Sequence, residues 1–488
     1  MILSEILRGI ECSGSFLPDA EINDIAYDSR KTGTGIMFVC LTGAKSDGHA
    51  FAPDAYENGS RVFVAEHDIS VPADAIVIKL KNSREALPVM CANFFGHPSE
   101  KLKVIGITGT KGKTTTTHLI KAILDANGVK TGIIGTVGAA WGDKTAKTGY
   151  TTPEAYELQK LLSQMLSDGC EAVAMEVSSL GLKAHRTDCI DFDTAVFLNI
   201  STDHIGGTEH ESYEEYYAWK KVLFSHCRRA VGCADDNATA DMLEKAPEKT
   251  LFGFSPASDY RATDIRPFRD GSCLGVSFEC THGGKSFKNM TVGLPGDYSV
   301  HNALAAIAVC SGMGIKPENQ REALRTARVR GRTEPVEVND DYAIFIDYAH
   351  NGTSLENLLK TMRAYNPERL ICLFGSVGGR AQVRRAEMGT AAGMLSDLAI
   401  VTSDDPDFED PKAIADEVSQ YVARAGGRYL TIPDRAKAIE TAVGLLKKGD
   451  LLMLCGKGHE DYQKINGVKL PFSERECVEQ ALKASVKK

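Results

Sequence analysis

Residues 103–119, KVIGITGTKGKTTTTHL, hold an apolar strand, a glycine-bearing turn and the start of a helix. That order is the building unit of a parallel sheet, and with GK[ST] at the turn it reads as a phosphate loop. The strict spacing puts a glycine at position 107, where this chain has Ile107. Ile107 therefore belongs to the incoming strand, and the Thr108-Gly109-Thr110 turn supplies the bend. Gly109, Thr110, Lys111 and Gly112 form the cradle, where glycines let backbone N–H groups converge on phosphate at the positive end of a helix. Lys113 is expected to reach the β and γ phosphates of ATP, and the Thr114 or Thr115 hydroxyl to ligate Mg²⁺. Leu119, Ile120, Ile123 and Leu124 give the helix its apolar stripe, with Asn127-Gly128 as its stop. Kinases, helicases and ligases all use such loops, so the chemistry must be read elsewhere.

At 488 residues the chain exceeds what one hydrophobic core supports. Apolar runs such as TGIIGTV, EAVAMEV and TAVFLNI alternate with helical patterns including Leu158 to Leu166, and residues 253–293 carry shorter, polar-interrupted strands. After VRGRTEPVE the alternation resumes with AIFID, RLICLFG, DLAIVT, RYLTI and DLLMLC. The expected fold class is α/β in three domains, at 1–97, 98–330 and 331–488. Net charge is −9 without a long basic run, which argues against nucleic acid as a partner. No apolar run is long enough to span a bilayer, and the first residues lack the pattern of a secretory leader. Thirteen scattered cysteines without a C-x-x-C suit reduced thiols, so a cytoplasmic protein without membrane insertion is expected.

Several strand ends carry chemistry-bearing residues, the side where open α/β sheets bind ligands. EAVAMEV ends on Glu176, a metal ligand or a cap. The next strand leads to Asn199, Asp203 and His204, where His204 is a ligand or simply the partner of Asp203. Lys220 lies on a helical pattern whose default is solvent. Farther on, GSVGGRAQVRRAEMG with Arg380, Arg384 and Arg385, TSDDPDFEDP, and CGKGHEDYQ each follow a strand, and three such loops at one sheet edge favour a site.

With these residues laid out, the chain resembles the Mur ligases, ATP-dependent amide-forming enzymes of peptidoglycan precursor synthesis. TGTKGKTTT, EVSS, LNISTDH, HNALAA, GRTE and DYAHN match the family's blocks in order, and the resemblance covers nearly the whole chain. YDSRKTGTGIMFVCLTGAKSDGHAF, TTPE and GKGHEDYQ resemble the branch that adds the third amino acid to UDP-N-acetylmuramoyl-L-alanyl-D-glutamate. The resemblance implies a small N-terminal UDP-binding domain, a central phosphate-loop ATPase domain and a C-terminal Rossmann-like domain. It implies a monomer acting on the UDP-muramoyl-dipeptide and a free diamino acid, with ATP and Mg²⁺. Carried over by position, Lys113, Glu176, His204 and Lys220 are catalytic, with Thr114, Glu176 and His204 as metal ligands and Lys220 carbamylated. Asn302, Arg332, Asp347 and His350 contact the nucleotide. Asp28, Ser29 and Arg30 form the uridine-end signature, while Thr151, Thr152, Ser179 and Arg186 hold the muramoyl-dipeptide. Gly456, Glu460, Asp404, Asp405, Asp407 and Arg385 meet the incoming amino acid, Arg385 through its α-carboxylate.

Departures sharpen the expectation. Leu180 stands where the family's EVSS block continues with histidine, and DHIGGTEH replaces DHLDxHG. Relatives that add meso-diaminopimelate read D-N-P-R where this chain has Asp404-Asp405-Pro406-Asp407. An aspartate in place of a carboxylate-clamping arginine favours a cationic side chain, so L-lysine or another basic diamino acid is the expected addition. The rival readings are diaminopimelate, a folate-polyglutamate ligase of the same fold, and a nucleotide-binding homologue without activity.

Overall fold

A computed structural model describes residues 1–14, 17–43, 46–202, 206, 209–379 and 382–485. The chain divides into two compact units, residues 1–260 with 305–315, and residues 261–304 with 316–488.

The first unit opens with a five-stranded sheet ordered Cys12–Gly14, Ile76–Leu80, Val62–Ala65, Ile36–Val39, Asp24–Ala26. Four strands are parallel and Cys12–Gly14 closes one edge antiparallel. Its core of Leu3, Ile25, Met37, Val39, Val64, Ile78 and Met90 also takes in Ala155 of the helix Ala155–Ser167. That contact explains why this helix carries apolar residues beyond one stripe: it serves two sheets.

The larger sheet of this unit runs Glu248–Gly253, Cys227–Cys233, Phe192–Phe197, Lys103–Thr108, Ala172–Glu176, Thr131–Gly135, all parallel. Gly138–Trp141 and Lys144–Ala146 extend it antiparallel. The phosphate-loop strand lies centrally, and Ile107 is in register with Glu176 on one side and Val196 on the other. Strand order reverses around it, so the loops after Thr108, Glu176 and Phe197 converge on one crevice. Both faces of these strands are buried, which is why they read as unbroken apolar runs.

The second unit holds an antiparallel meander, Tyr260–Asp270, Cys273–His282 and Lys285–Val292. The stretch expected to contain short strands instead has long ones of 11, 10 and 8 residues, most of their polar positions exposed or half-buried. Its main sheet is ordered Glu334–Val338, Tyr342–Asp347, Asp450–Cys455, Arg369–Phe374, Leu398–Val401, Tyr429–Thr431. The helices Gly352–Arg363, Gln382–Leu395 and Pro411–Arg424 cover one face, and Arg435–Gly444 with Glu474–Ser485 the other. RYLTI forms a short, exposed edge strand, Tyr429–Thr431. A two-stranded hairpin, Tyr462–Ile465 with Val468–Pro471, follows GKGHED. Asn466 and Gly467 both turn with positive φ, the chemistry of a tight hairpin turn. The INGV stretch carries the signal for this hairpin in the sequence.

Candidate active site

The helix Lys113–Ala126 starts directly after Gly112, whose φ of +90° suits only glycine without strain. Asn199 splints the loop before it: its carbonyl oxygen accepts from Thr110 N–H at 3.0 Å, and its Oδ1 from Lys111 N–H at 2.9 Å. Lys113 folds back, its Nζ donating to the Gly109 carbonyl at 2.8 Å and the Thr110 carbonyl at 3.3 Å. An incoming phosphate offers that ammonium a stronger, charge-assisted partner. Lys220 is not solvated. It is 2% exposed, donates to the Gly109 carbonyl at 3.1 Å and sits 4.7 Å from the Tyr216 ring. Burial of this helix face, invisible to a local pattern, brings it to the base of the phosphate loop.

Glu176 is the hub beside the loop. It is 2% exposed, and its carboxylate accepts from the Thr114 hydroxyl at 3.0 Å, the Thr136 amide at 2.9 Å and the Thr136 hydroxyl at 3.1 Å. Hydrogen bonds to a charged group contribute about 1.5–3 kcal/mol each, enough together to offset the desolvation of one carboxylate. A carboxylate with two hydroxyls is an oxygen-only donor set, which fits a hard cation such as Mg²⁺. His204, Asp203 and Arg380 lie outside the described residues.

The network continues past Glu176. Thr136 shares a 3.0 Å hydroxyl contact with Thr151, and the Thr152 hydroxyl donates to the Glu176 carbonyl at 3.0 Å. Arg186 donates to the Thr152 carbonyl at 2.9 Å and pairs with Glu154 at 2.8 Å. Glu154 also holds Arg84 of the N-terminal sheet region at 2.9 Å. Ser179 contacts His210 at 2.8 Å in a buried setting. Asp28, Ser29 and Arg30 form a local turn apart from this network, in which Asp28 caps Arg30 and pairs with its guanidinium at 2.7 Å.

The second unit gathers two groups. At the end of Tyr342–Asp347, the Asp347 carboxylate accepts from the Thr333 and Ala349 amides. Arg332 lies 5.1 Å from the Tyr348 ring centre, which also packs against His350 and His459. Burial, reinforced by Arg332 and Arg330, pushes the His459 imidazole down to about 4. Asn302 is buried on the helix Asp297–Gly312.

The other group joins the loops after Val401 and Cys455. Lys457 is fully buried, with its Nζ 2.6 Å from Glu460, 2.7 Å from Asp405 and 3.7 Å from Asp404. Burial works against its charge, but the three carboxylates outweigh it and raise the ammonium above its usual range. Gly456, at φ +114°, has no room for a side chain, because a Cβ would collide with Asp404. Two further residues expected to meet the amino acid have partners within the chain. Asp407 turns to the hairpin, where its carboxylate takes Lys464 at 2.6 Å and the Gly467 amide at 2.8 Å. Arg385 is held by Glu409 and Glu417, each at 2.6 Å.

Three family profiles match the chain in order: the Mur ligase family catalytic domain over 21–95, the Mur ligase middle domain over 107–310, and the Mur ligase glutamate ligase domain over 331–458. The chain belongs to the Mur ligase family. A relative from Caldanaerobacter subterraneus subsp. tengcongensis is 38% identical over 489 residues, covering all of both chains. Another, from Syntrophomonas wolfei, is 39% identical over 478 residues and 96% of each chain. Both carry the name UDP-N-acetylmuramoyl-L-alanyl-D-glutamate–2,6-diaminopimelate ligase. A solved structure of the same name superposes with a TM-score of 0.73 at 28% identity, covering 100% of this chain and 99% of the other. A Thermotoga maritima MurF ligase solved with ADP shares the fold, with a TM-score of 0.62 at 18% identity over 96% of this chain and 98% of the other.

This Mur ligase therefore has the family's three-domain α/β fold and is an ATP-dependent, ADP-forming amide ligase that works with Mg²⁺. No helix among the described residues is long and apolar enough to cross a membrane. Sequence reasoning missed Thr136, His210 and Lys457. Thr136 and Lys457 each follow a strand end, a signal that could have found them. Nothing local marks His210, which enters only through the packing of the segment after residue 208.

Proposed function

We propose that this Mur ligase is of the MurE type, joining a free diamino acid to UDP-N-acetylmuramoyl-L-alanyl-D-glutamate in the cytoplasm as a monomer. One observation carries the reading. Glu176 ties the phosphate loop, through Thr114, to Thr136, Thr151 and Thr152 in a single hydrogen-bonded network. A nucleotide γ-phosphate and an acceptor carboxylate handled by such a network would lie side by side, as phosphoryl transfer requires.

In this reading Lys113 leaves the loop carbonyls for the ATP phosphates, and Asn199 keeps the loop amides in place. Thr114 and Glu176 would hold Mg²⁺, which when bound neutralises phosphate charge. Arg186, Thr151, Thr152 and Ser179 orient the dipeptide so that its D-glutamyl carboxylate takes the γ-phosphoryl group. The acyl phosphate is then an acyl donor, and the amine attacks as phosphate leaves. Asp28, Ser29 and Arg30 serve the uridine end, and Asn302, Arg332, Asp347 and His350 the nucleotide. The Arg332, Tyr348 and His350 grouping suits a flat, anionic ligand.

The added residue is read as L-lysine. Asp404, Asp405 and Glu460 set three carboxylates against the single ammonium of Lys457, and Asp407 is neutralised by Lys464. This balance favours a cationic side chain over a second carboxylate. Diaminopimelate is the second reading, favoured by the names of the relatives. ADP release tests the reaction itself. It is expected to require UDP-N-acetylmuramoyl-L-alanyl-D-glutamate together with a diamino acid. Equal turnover with UDP-N-acetylmuramoyl-L-alanine, or with a folate polyglutamate, contradicts the assignment.

A further inference from the structure

His210 is a buried titratable group that the ligase reaction leaves without a role. It is 2% exposed, and its side chain is enclosed between the short helix Ser179–Lys183 and the helix Tyr213–Val222. Its Nε2 lies 2.8 Å from the Ser179 hydroxyl oxygen, and Ser179 is itself 4% exposed. Its Nδ1 faces Glu215 Oε2 at 3.8 Å. Glu215 is fixed in turn: Lys183 pairs with it at 2.6 Å and the Glu211 amide donates to it at 2.8 Å. These two contacts hold the Glu215 carboxylate down to about 2, so it is an anion throughout the neutral range. The imidazole ring packs on Tyr216, with centroids 5.4 Å apart. The result is a row of hydroxyl, imidazole and carboxylate held by two helices.

The order of charges sets the direction of the hydrogen bonds. An anionic carboxylate opposite Nδ1 favours the proton on that nitrogen. Nε2 is then an acceptor, and the Ser179 O–H points at it. The lone pairs of the Ser179 oxygen can then accept from a further donor. We infer that His210 is a positioning residue: it turns Ser179 into a hydrogen-bond acceptor for an N–H group of the substrate, such as an amide of the dipeptide or the attacking amine. The inference rests on the ligase reading, in which Ser179 borders the dipeptide. Without His210 the serine hydroxyl rotates freely and presents its proton as readily as its lone pairs.

The test is a double-substitution cycle on the full-length enzyme, with ADP release measured over ranges of UDP-N-acetylmuramoyl-L-alanyl-D-glutamate and amino acid, and the melting temperature of each variant recorded. The unsubstituted chain comes first. If it does not turn over this substrate, the ligase reading itself falls, independently of any result on the variants. His210→Leu and Ser179→Ala are each expected to lower kcat/KM about tenfold, the usual scale for one oriented hydrogen bond, and the double variant to lose no more than either. His210→Gln places an amide near the Nε2 position and is expected to recover most of the loss, with its melting temperature no higher than that of His210→Leu. Losses that multiply in the double variant overturn the inference. So does a His210→Gln enzyme as impaired as His210→Leu at the same melting temperature, since a packing role alone gives that result.

Discussion

The phosphate loop and the acidic cluster after Cys455 both sit at the ends of parallel strands, yet they are built on opposite principles. The phosphate loop is a backbone device. Its amides, the helix start and the Asn199 splint set its shape, while the charges of Lys113 and Lys220 rest against carbonyl oxygens. The acidic cluster is a side-chain device, in which Lys457 is surrounded by Asp404, Asp405 and Glu460, and Asp407 is drawn off by Lys464. The difference teaches where specificity can drift. Backbone geometry tolerates few substitutions, whereas a cluster of compensating charges can be rebalanced by one.

The contrast can be broken or sharpened by substitution. The largest effect is expected for Lys113→Ala, which removes the ammonium that moves onto the phosphates: kcat falls by about a thousandfold with the melting temperature unchanged. A loss under tenfold would mean that the loop is not the phosphate site. Glu176→Gln keeps the volume but removes the charge, and kcat is expected to fall about a hundredfold, together with a raised Mg²⁺ requirement in the same assay. Gly456→Ala belongs to the other region. A methyl group pressed on Asp404 should raise the KM for the amino acid about tenfold and leave the KM for ATP alone. If both constants rise together, the cluster does not act on the amino acid separately.

A smaller effect concerns pH. His459 is held at about 4, against 6.5 for an ordinary imidazole. Between those values the unfolded chain binds a proton that the folded chain does not, so stability rises with pH across this window and is lost as pH falls through it. Melting temperatures measured from pH 4 to 7 should therefore climb less steeply for His459→Gln than for the parent. Parallel curves would show that His459 is not held neutral by its surroundings.

The sequence carried the phosphate loop well because a strand, a glycine turn and a helix are local, and Ile107 indeed lies in the strand. It carried Glu176 as a strand-end acid and Thr114, Thr151 and Thr152 beside it, but not Thr136, which arrives from the end of a neighbouring strand. Local pattern alone left Lys220 to solvent, because helical periodicity does not say which face is covered; only the family resemblance put it with the phosphate loop, where it lies. Asp407 shows the deepest limit. Position pointed toward the amino acid and gave no sign of Lys464, which lies 57 residues farther along on the hairpin. Arg435 and Glu474, a fully buried pair linking the Ser403 and Cys455 carbonyls to the last helix, had no signal at all. Burial of a charged pair is decided by packing, not by its neighbours in sequence.

The reading of the acidic cluster meets its most direct test in phosphate release from ATP and UDP-N-acetylmuramoyl-L-alanyl-D-glutamate, with L-lysine and meso-diaminopimelate as competing amino acids. The charge balance around Lys457 and Asp407 predicts a kcat/KM at least about tenfold higher for L-lysine, the scale of one unmatched charge at a partly buried site. A preference of that size for meso-diaminopimelate would contradict it.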